Sequence, residues 1–322
     1  MTIPDLDEIA SRNEPFVICS LPAIGNDVRE AHPFYYRDNV TFASEAGAEF
    51  LFQPFQSSCS VISQCETTKE NHLKNVQFAI REIKSGKIDK VIISRIKHVH
   101  RSKDHSLNEL FSRLLEKYRA AFVYFMYHPE HGTWMGATPE VLLTKKRQQF
   151  STVSLAGTLP YRKGEEVSWD EKLLHEQRLV TDFISRELNN LGIHPFEIDG
   201  PSNVIAGPLA HLKSTFTFQS ELELNTIISA LHPTPAICGL PREASRELIA
   251  STELHQRRLY TGYLGVNHQN GDADFFVNLR CMQIFEDHFE LFVGGGITAD
   301  SNPESEWQET EMKSKVLMNA IS

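Results

Sequence analysis

The chain has 322 residues, 41% hydrophobic and 23% charged, with a formal net charge of -10. This is ordinary globular composition, long enough for a sizeable core in one domain or two. The negative balance argues against a general nucleic-acid or acidic-membrane surface, so an anionic small substrate would need a local positive feature or a metal ion.

Cys19, Cys59, Cys65, Cys238 and Cys281 are odd in number and show no metal-ligand spacing, which points to reduced thiols and a cytoplasmic setting. No run approaches the roughly 20 apolar residues that span a bilayer. The start, Met1-Thr2-Ile3-Pro4-Asp5, lacks a signal-type apolar core.

Residues 1–65 carry short strand patterns, Phe16-Val17-Ile18-Cys19 and Glu49-Phe50-Leu51-Phe52, broken by Pro22, Gly25 and Pro33. They read as sheet edges and covering loops, part of the same domain as residues 66–322. Leu73, Val76, Ile80 and Ile83 form one helical stripe that ends at Gly86. Lys87 to Arg95 is a β-branched strand with Lys90 near its start, where a lysine ordinarily discourages strand pairing. A helix over 107–118 precedes a strand at 121–127 and a hairpin turn at His131-Gly132-Thr133. Pro139 interrupts the next apolar run and leaves Glu140 at an irregular point among apolar neighbours. A carboxyl there is either a turn glutamate facing solvent or an acid with a raised pKa, suited to giving up a proton.

Phe150 to Leu159 alternates as a strand, and Trp169 to Leu191 is a long helix carrying Glu171, His175, Glu176 and Arg178. Most such helix charges are simply solvated. Short strands at 196–198 and 202–205, a strand at 211–218 and a helix at 222–231 follow. The proline-rich His232 to Pro241 suits a rigid pocket wall. After a helix at 243–251, strands at 260–265, 274–282 and 288–293 close the sheet, the first two joined through Asn270-Gly271. Arg280, inside a hydrophobic strand, is a paired structural charge or an anion clamp. Strands joined by hairpins, with helices interspersed, predict an α+β fold with mainly antiparallel sheets.

The last stretch is the richest. Gly294-Gly295-Gly296 precedes a helix that Asn302 caps and Pro303 opens. Glu306, Glu309 and Lys313 fall on one face of it. Two carboxylates and an ammonium beside glycine N–H groups suit a metal ion with an anionic ligand, and equally an acidic first turn complementing the helix dipole.

Seven segments in order resemble the chorismate-binding enzymes: Lys87 to Arg95, Gly136-Ala137-Thr138-Pro139-Glu140, Leu155-Ala156-Gly157-Thr158, His175-Glu176, His232-Pro233-Thr234-Pro235-Ala236, Gly294-Gly295-Gly296-Ile297, and Glu306-Trp307-Gln308-Glu309-Thr310 with Lys313. The resemblance runs from about residue 70 to the C-terminus and is poorest over 1–65. It implies a single domain of two large antiparallel sheets packed face to face, helices outside, with the site in a cleft at one end. It also implies Mg²⁺ held by Glu176 and Glu309, with Glu306 close by. Arg280, Lys313 and the N–H groups of a Gly294–Gly296 turn would hold substrate carboxylates, and Thr158 and His211 would lie near the ring. Many relatives carry an acidic residue where this chain has Leu173, which thins the expected metal surroundings.

Within the family, Lys90 matches a base that activates water and Glu140 an acid that protonates a leaving hydroxyl. The His232 to Ala236 loop has the isochorismate-synthase form. The resemblance therefore implies an isochorismate synthase acting on chorismate as a monomer without a glutaminase subunit. A salicylate synthase and a non-catalytic chorismate-binding protein stand as alternatives. Whether the product serves menaquinone or a catecholate siderophore is left open by the sequence.

Overall fold

The computed structural model describes residues 3–12, 14–22, 30–37, 41–44, 46–55, 61–102, 105–162, 164–206 and 209–322. The chain begins with α1 (Leu6–Ser11), β1 (Phe16–Ser20), β2 (His32–Arg37), β3 (Thr41–Ala43) and β4 (Glu49–Gln53). Then come α2 (Lys69–Lys84), β5 (Lys90–His100), α3 (Leu107–Lys117), β6 (Phe122–His128), β7 (Gly132–Thr138), β8 (Val141–Lys146) and β9 (Gln149–Pro160). The middle holds α4 (Glu171–Asn190), β10 (Phe196–Ala206), β11 (Leu209–Gln219), α5 (Leu224–Leu231), β12 (Gly239–Leu240) and α6 (Arg242–Thr252). The last part holds β13 (Tyr263–Asn267), β14 (Ala273–Val277), β15 (Cys281–Ile284), β16 (His288–Ile297) and α7 (Pro303–Ile321).

Among the described residues the strands form one antiparallel ladder in the order β10-β11-β9-β8-β14-β13-β4-β3-β2-β1-β6-β7-β15-β16-β5-β12. The two sheets expected from the resemblance are the two halves of this ladder. Strands β1 to β4 are not its edges, as the sequence suggested, but the bridge between the halves. Their apolar residues alternate too irregularly over short runs to reveal that position.

The halves face one another through a shared core. Phe122 on β6 stacks on Phe276 of β14 with centroids 4.6 Å apart, although six pairings separate those strands in the ladder. Phe34, Phe50, Trp134, Leu264 and Phe292 fill the same interior. Strand β6 is apolar throughout because both its faces are covered: Phe122, Tyr124 and Met126 point inward, while Val123 and Phe125 meet the helices outside. Helices α1, α3 and α7 cover β6, β7, β15 and β16. Helices α4 and α5 cover β8, β9, β11 and β14, and α2 and α6 cover β5.

Three local readings change. The short strands at 196–198 and 202–205 are one strand, β10, with an irregularity between Asp199 and Ser202. The stretch 274–282 is two strands, β14 and β15, because the chain leaves one half of the ladder and enters the other. The glycines 294–296 are not a turn but the last part of β16, paired with Ser94, Ile93 and Ile92 of β5. The Asn270-Gly271 turn lies where expected, with Gly271 at φ +83. Cys19, Cys65, Cys238 and Cys281 are free thiols, and Cys59 lies outside the described residues.

Phe122→Ala should cost about 3–5 kcal/mol, because the facing half cannot collapse onto the void. Urea unfolding of the variant against the parent measures this, and a loss below about 1 kcal/mol would show that the inter-sheet stack is not a principal contact.

Candidate active site

The cleft opens where the chain passes from one half of the ladder to the other at two adjacent points. Strand β7 pairs with β6 and β15, whereas β8, two residues later, pairs with β9 and β14. Strands β14 and β15 make the same switch. The two crossings are tied together: Val277 N–H donates to the Glu140 carbonyl at 2.9 Å, Thr138 Oγ1 to the Val277 carbonyl at 2.6 Å, and Ala137 N–H to the Arg280 carbonyl at 3.1 Å. Pro139 forces one break. At the other, Arg280 sits at φ +48, a left-handed conformation that costs a non-glycine residue about 1–2 kcal/mol. The paired breaks bring Glu140 and Arg280 to one mouth.

A cavity of about 150 Å³ lies there. Its walls include Lys90, Glu140, Glu176, His211, Arg280 and Gly294 to Gly296, and its floor is closed by Glu306, Glu309 and Lys313. All of the residues to which the resemblance assigns a place in the site therefore meet there except Thr158, which lies on β9 but whose side chain is outside the described residues. Leu173 also lines the cavity.

Lys90 is 1% exposed and is no edge lysine, since Leu240 of β12 pairs with it and covers the strand. Its ammonium donates to Glu176 Oε1 at 2.6 Å. On α7, Lys313 donates to Glu309 Oε1 at 2.6 Å, four residues back, and to the Gly294 carbonyl at 2.9 Å. Burial opposes the Lys313 charge, but Glu309, Glu176 and Glu306 outweigh it and hold its pKa above the ordinary value.

The glycines let α4 and α7 lie this close to β16. A Cβ at position 296 would stand 2.7 Å from Glu176 Oε1 and 3.0 Å from Lys90 Cε. One at 295 would stand 3.3 Å from Glu306 Oε2 and 3.7 Å from Glu309 Oε1. The backbone N–H groups matter as well. Ser94 N–H donates to Glu253 and Ile92 N–H to the Cys238 carbonyl, both away from β16. Their partners Gly294 and Gly296 are then the non-hydrogen-bonded positions of the ladder, so their N–H groups point away from β5, past the end of the β15 pairing at Leu291.

Burial raises the Glu140 carboxyl to about 7, with Arg280, Lys313 and Lys90 pulling the other way. Burial likewise lowers the Arg280 guanidinium, against the pull of Glu140. His211 is lowered to about 4 by burial, with Arg280 adding to it, so its ring is neutral near pH 7. Its Nδ1–H donates to the Gly157 carbonyl at 3.1 Å.

The sequence reading missed the support behind the site. Arg257 is fully buried and donates to both Glu253 oxygens at 2.6 and 2.9 Å, to the Ile92 carbonyl at 2.7 Å and to the Ile237 carbonyl at 2.9 Å. It fastens the proline-rich 232–241 wall to β5. Tyr260 also lines the cavity, with its hydroxyl 2.9 Å from where a Gly294 Cβ would stand. The i, i+4 spacing of Glu253 and Arg257 was the available signal, but it follows the end of α6, where such pairs are ordinarily solvated.

For three hard carboxylates a magnesium-type ion is the matching metal. Among the described residues, the groups whose donor atoms all lie within 4.8 Å of one another are His98-His288-Glu290 and His128-Glu130-His131. Glu176 and Glu309 are instead each held by a lysine. A Mg²⁺ ion keeps several waters, so it does not require the three carboxylates to converge that tightly. The donor chemistry and the side-chain-free strand at 295 and 296 fit such an ion.

Glu140 also carries a stability signature. A carboxyl raised from 4.5 to about 7 binds its proton more tightly in the fold than in the unfolded chain. Stability therefore falls as pH rises through that interval, and the full cost is present above it. Glu140→Gln should remove this dependence and stabilise the protein at pH 8 by on the order of 3 kcal/mol. Urea unfolding at pH 4.5 and pH 8 measures it; identical pH dependence in variant and parent would mean that Glu140 titrates normally.

Comparison with known proteins agrees with this geometry. The family model described as chorismate binding enzyme matches residues 38–322. The chain is 30% identical over 244 residues to isochorismate synthase EntC of Escherichia coli (strain K12), covering 73% of this chain and 62% of that protein. It is 29% identical to isochorismate synthase DhbC of Bacillus subtilis (strain 168), covering 97% and 82%. It thus spans less than two thirds of the first of these relatives. Among solved structures, the 2,3-dihydroxybenzoate-specific isochorismate synthase DhbC of Bacillus anthracis superposes with a TM-score of 0.75 at 25% identity, covering 98% of this chain and 88% of that one. With the family model matched over 38–322 and its motifs meeting in one cleft, this chain belongs to the chorismate-binding enzyme family.

Proposed function

We propose that this protein is an isochorismate synthase, which interconverts chorismate and isochorismate by adding water at C2 while C4 loses its hydroxyl. The observation that carries the reading is the pairing, in one cavity, of a buried lysine with a buried carboxyl raised to about 7. An isomerisation that takes a proton from the water attacking one carbon and gives one to the hydroxyl leaving another calls for such a pair. The names of the relatives, isochorismate synthases, support the same choice.

Charge balance supports a divalent cation. With Glu140 protonated, Glu176, Glu306 and Glu309 are offset by Lys90, Arg280 and Lys313. A dicarboxylate substrate adds two negative charges with nothing left to match them. We propose Mg²⁺, held by Glu176 and Glu309 with Glu306 beside them. When bound, it supplies charge neutralisation and orientation of a substrate carboxylate.

This chain's own residues do the rest. Arg280, Lys313 and the outward N–H groups of Gly294 and Gly296 hold substrate carboxylates. His211, neutral and oriented by the Gly157 carbonyl, faces the ring. Lys90 must first part from Glu176, because only its neutral amine accepts a proton. With the ion bound, Glu176 would serve as one of its ligands, and Lys90 would be left without this partner. Lys90 then takes a proton from water as it attacks C2. The ring double bonds shift, and Glu140 gives its proton to the departing C4 oxygen. In the reverse direction the two exchange roles. We propose that the enzyme works in the cytoplasm as a monomer on free chorismate, with no glutaminase subunit.

Chorismate turnover with and without Mg²⁺, with products separated by chromatography, tests the reading. Isochorismate without pyruvate is expected; salicylate with pyruvate would replace it by a salicylate synthase, and binding without product by a non-catalytic protein. Lys90→Ala and Glu140→Gln should each lose about 10²–10⁴-fold in rate. In the forward direction the rate should fall as pH rises through about 7, where Glu140 loses its proton. Glu309→Gln should lose most of the Mg²⁺ dependence together with activity; full activity without the ion would remove the metal from the scheme.

A further inference from the structure

The opposite end of β16 carries a second cluster with different chemistry. Glu290 pairs across the ladder with His98 of β5, and His288 stands two residues before Glu290 on the same face of β16. The ladder alone thus sets two imidazoles and a carboxylate side by side. Glu290 lies about 17 Å along the strand from Gly295, at roughly 3.4 Å per residue, so this cluster is separate from the cleft.

We propose that His98, His288 and Glu290 form a binding site for a zinc-class divalent ion. Both imidazole Nε2 atoms lie near one oxygen, Glu290 Oε1, at 3.9 Å from His98 and 3.7 Å from His288. The rings are 4.6 Å apart and tilted. Donors about 2.0–2.2 Å from a tetrahedral zinc are roughly 3.3–3.6 Å from one another. The two nitrogen–oxygen spacings need to close by only a few tenths of an ångström, and all three donors lie within 4.8 Å of one another.

Three further features fit a metal. Glu290 is fully buried, an expensive place for a carboxylate. Its Oε1 accepts from Ser63 Oγ at 2.9 Å and from Gln64 N–H, while Oε2 accepts no hydrogen bond among the described residues and has Arg258 only at 3.6 Å. His288 Nδ1–H donates to Asp287 Oδ1 at 2.7 Å. That is the outer carboxylate a metal-bound histidine uses; Nε2 faces Ser63 Oγ, whose one proton goes to Glu290, so an ion binding at Nε2 would displace a proton from it. Without metal, His98 Nε2 contacts the Gln64 carbonyl and His288 Nε2 contacts Ser63 Oγ, each at 2.8 Å. An ion would replace these contacts and leave its fourth position to water or the Gln64 carbonyl. Two nitrogens and one oxygen favour zinc over magnesium, which prefers oxygen donors. The ion would pin residues 63 and 64 to the β5–β16 pair.

The test uses the full-length protein stripped of metal and titrated with Co²⁺, then Zn²⁺. One equivalent of Co²⁺ with visible absorption, displaced by Zn²⁺, is expected, and it should persist when Glu306→Gln and Glu309→Gln remove carboxylates from the cleft. His98→Ala and His288→Ala should abolish it, and Asp287→Asn, at an exposed residue, should weaken it about 10–100-fold. Both histidines are partly exposed, so the metal-free variants should unfold thermally with the parent. No absorption in the parent, or equal uptake by parent and histidine variants, overturns the proposal and places any bound ion in the acidic cleft or at His128-Glu130-His131.

Discussion

The cleft depends on a stretch of strand without side chains. Helices α4 and α7 bring Glu176, Glu306 and Glu309 down onto β16, and glycine at 295 and 296 leaves them that room without displacing their carboxylates. A methyl group at 296 would meet both Glu176 and Lys90, the two halves of the ion pair. Glycine in a strand interior ordinarily weakens it. Here the pairing with β5 over the whole of β16 offsets that cost, and the bare backbone gives anionic ligands access to N–H groups.

Electrostatics shows the same opposition between folding and function. Charges removed from water are costly unless paired, and two of the cleft carboxylates do have partners: Lys90 for Glu176 and Lys313 for Glu309. These pairs stabilise the cleft, and the proposed reaction requires the first of them to open. Glu140 is different. No described ammonium or guanidinium bonds to it, and burial leaves it protonated near neutrality, which destabilises the fold above that pH. A solvated glutamate would be better for stability and would be ionised at neutral pH, unsuited to the acid role proposed for it. The Glu253–Arg257 pair shows the structural use of the same chemistry: fully buried, fully bonded, and committed to holding β5 against the 232–241 wall.

Much of the site was legible because its residues sit in motifs with local causes. Asn302 and Pro303 fix the start of α7, so Glu306, Glu309 and Lys313 fall on one face whatever the tertiary structure. Pro139 marks the break that brings Glu140 to the cleft. What could not be read depends on partners distant in sequence. Nothing within residues 274–282 announces that the strand divides, because the division arises from the change of neighbours from β8 to β7. The same limit hid the bridging place of β1 to β4, and made a strand interior of Gly294–Gly296 look like a turn. His98 and Glu290 lie far apart in the chain and meet only through ladder register.

Register is also why the two ends of β16 can do different work. Over ten paired positions β5 and β16 keep one alignment, so a residue on one strand has a fixed neighbour on the other. At the cleft end that alignment sets Gly296 opposite Ile92, next to Lys90; at the other it sets Glu290 opposite His98. A slip of one residue would turn every side chain of β16 to the other face. It would carry Phe289 and Leu291 away from the α3 and α7 contacts, and that loss of apolar burial is what holds the register. The positions of the acids, the glycine N–H groups and the histidines are thus set by apolar residues that take no part in any chemistry.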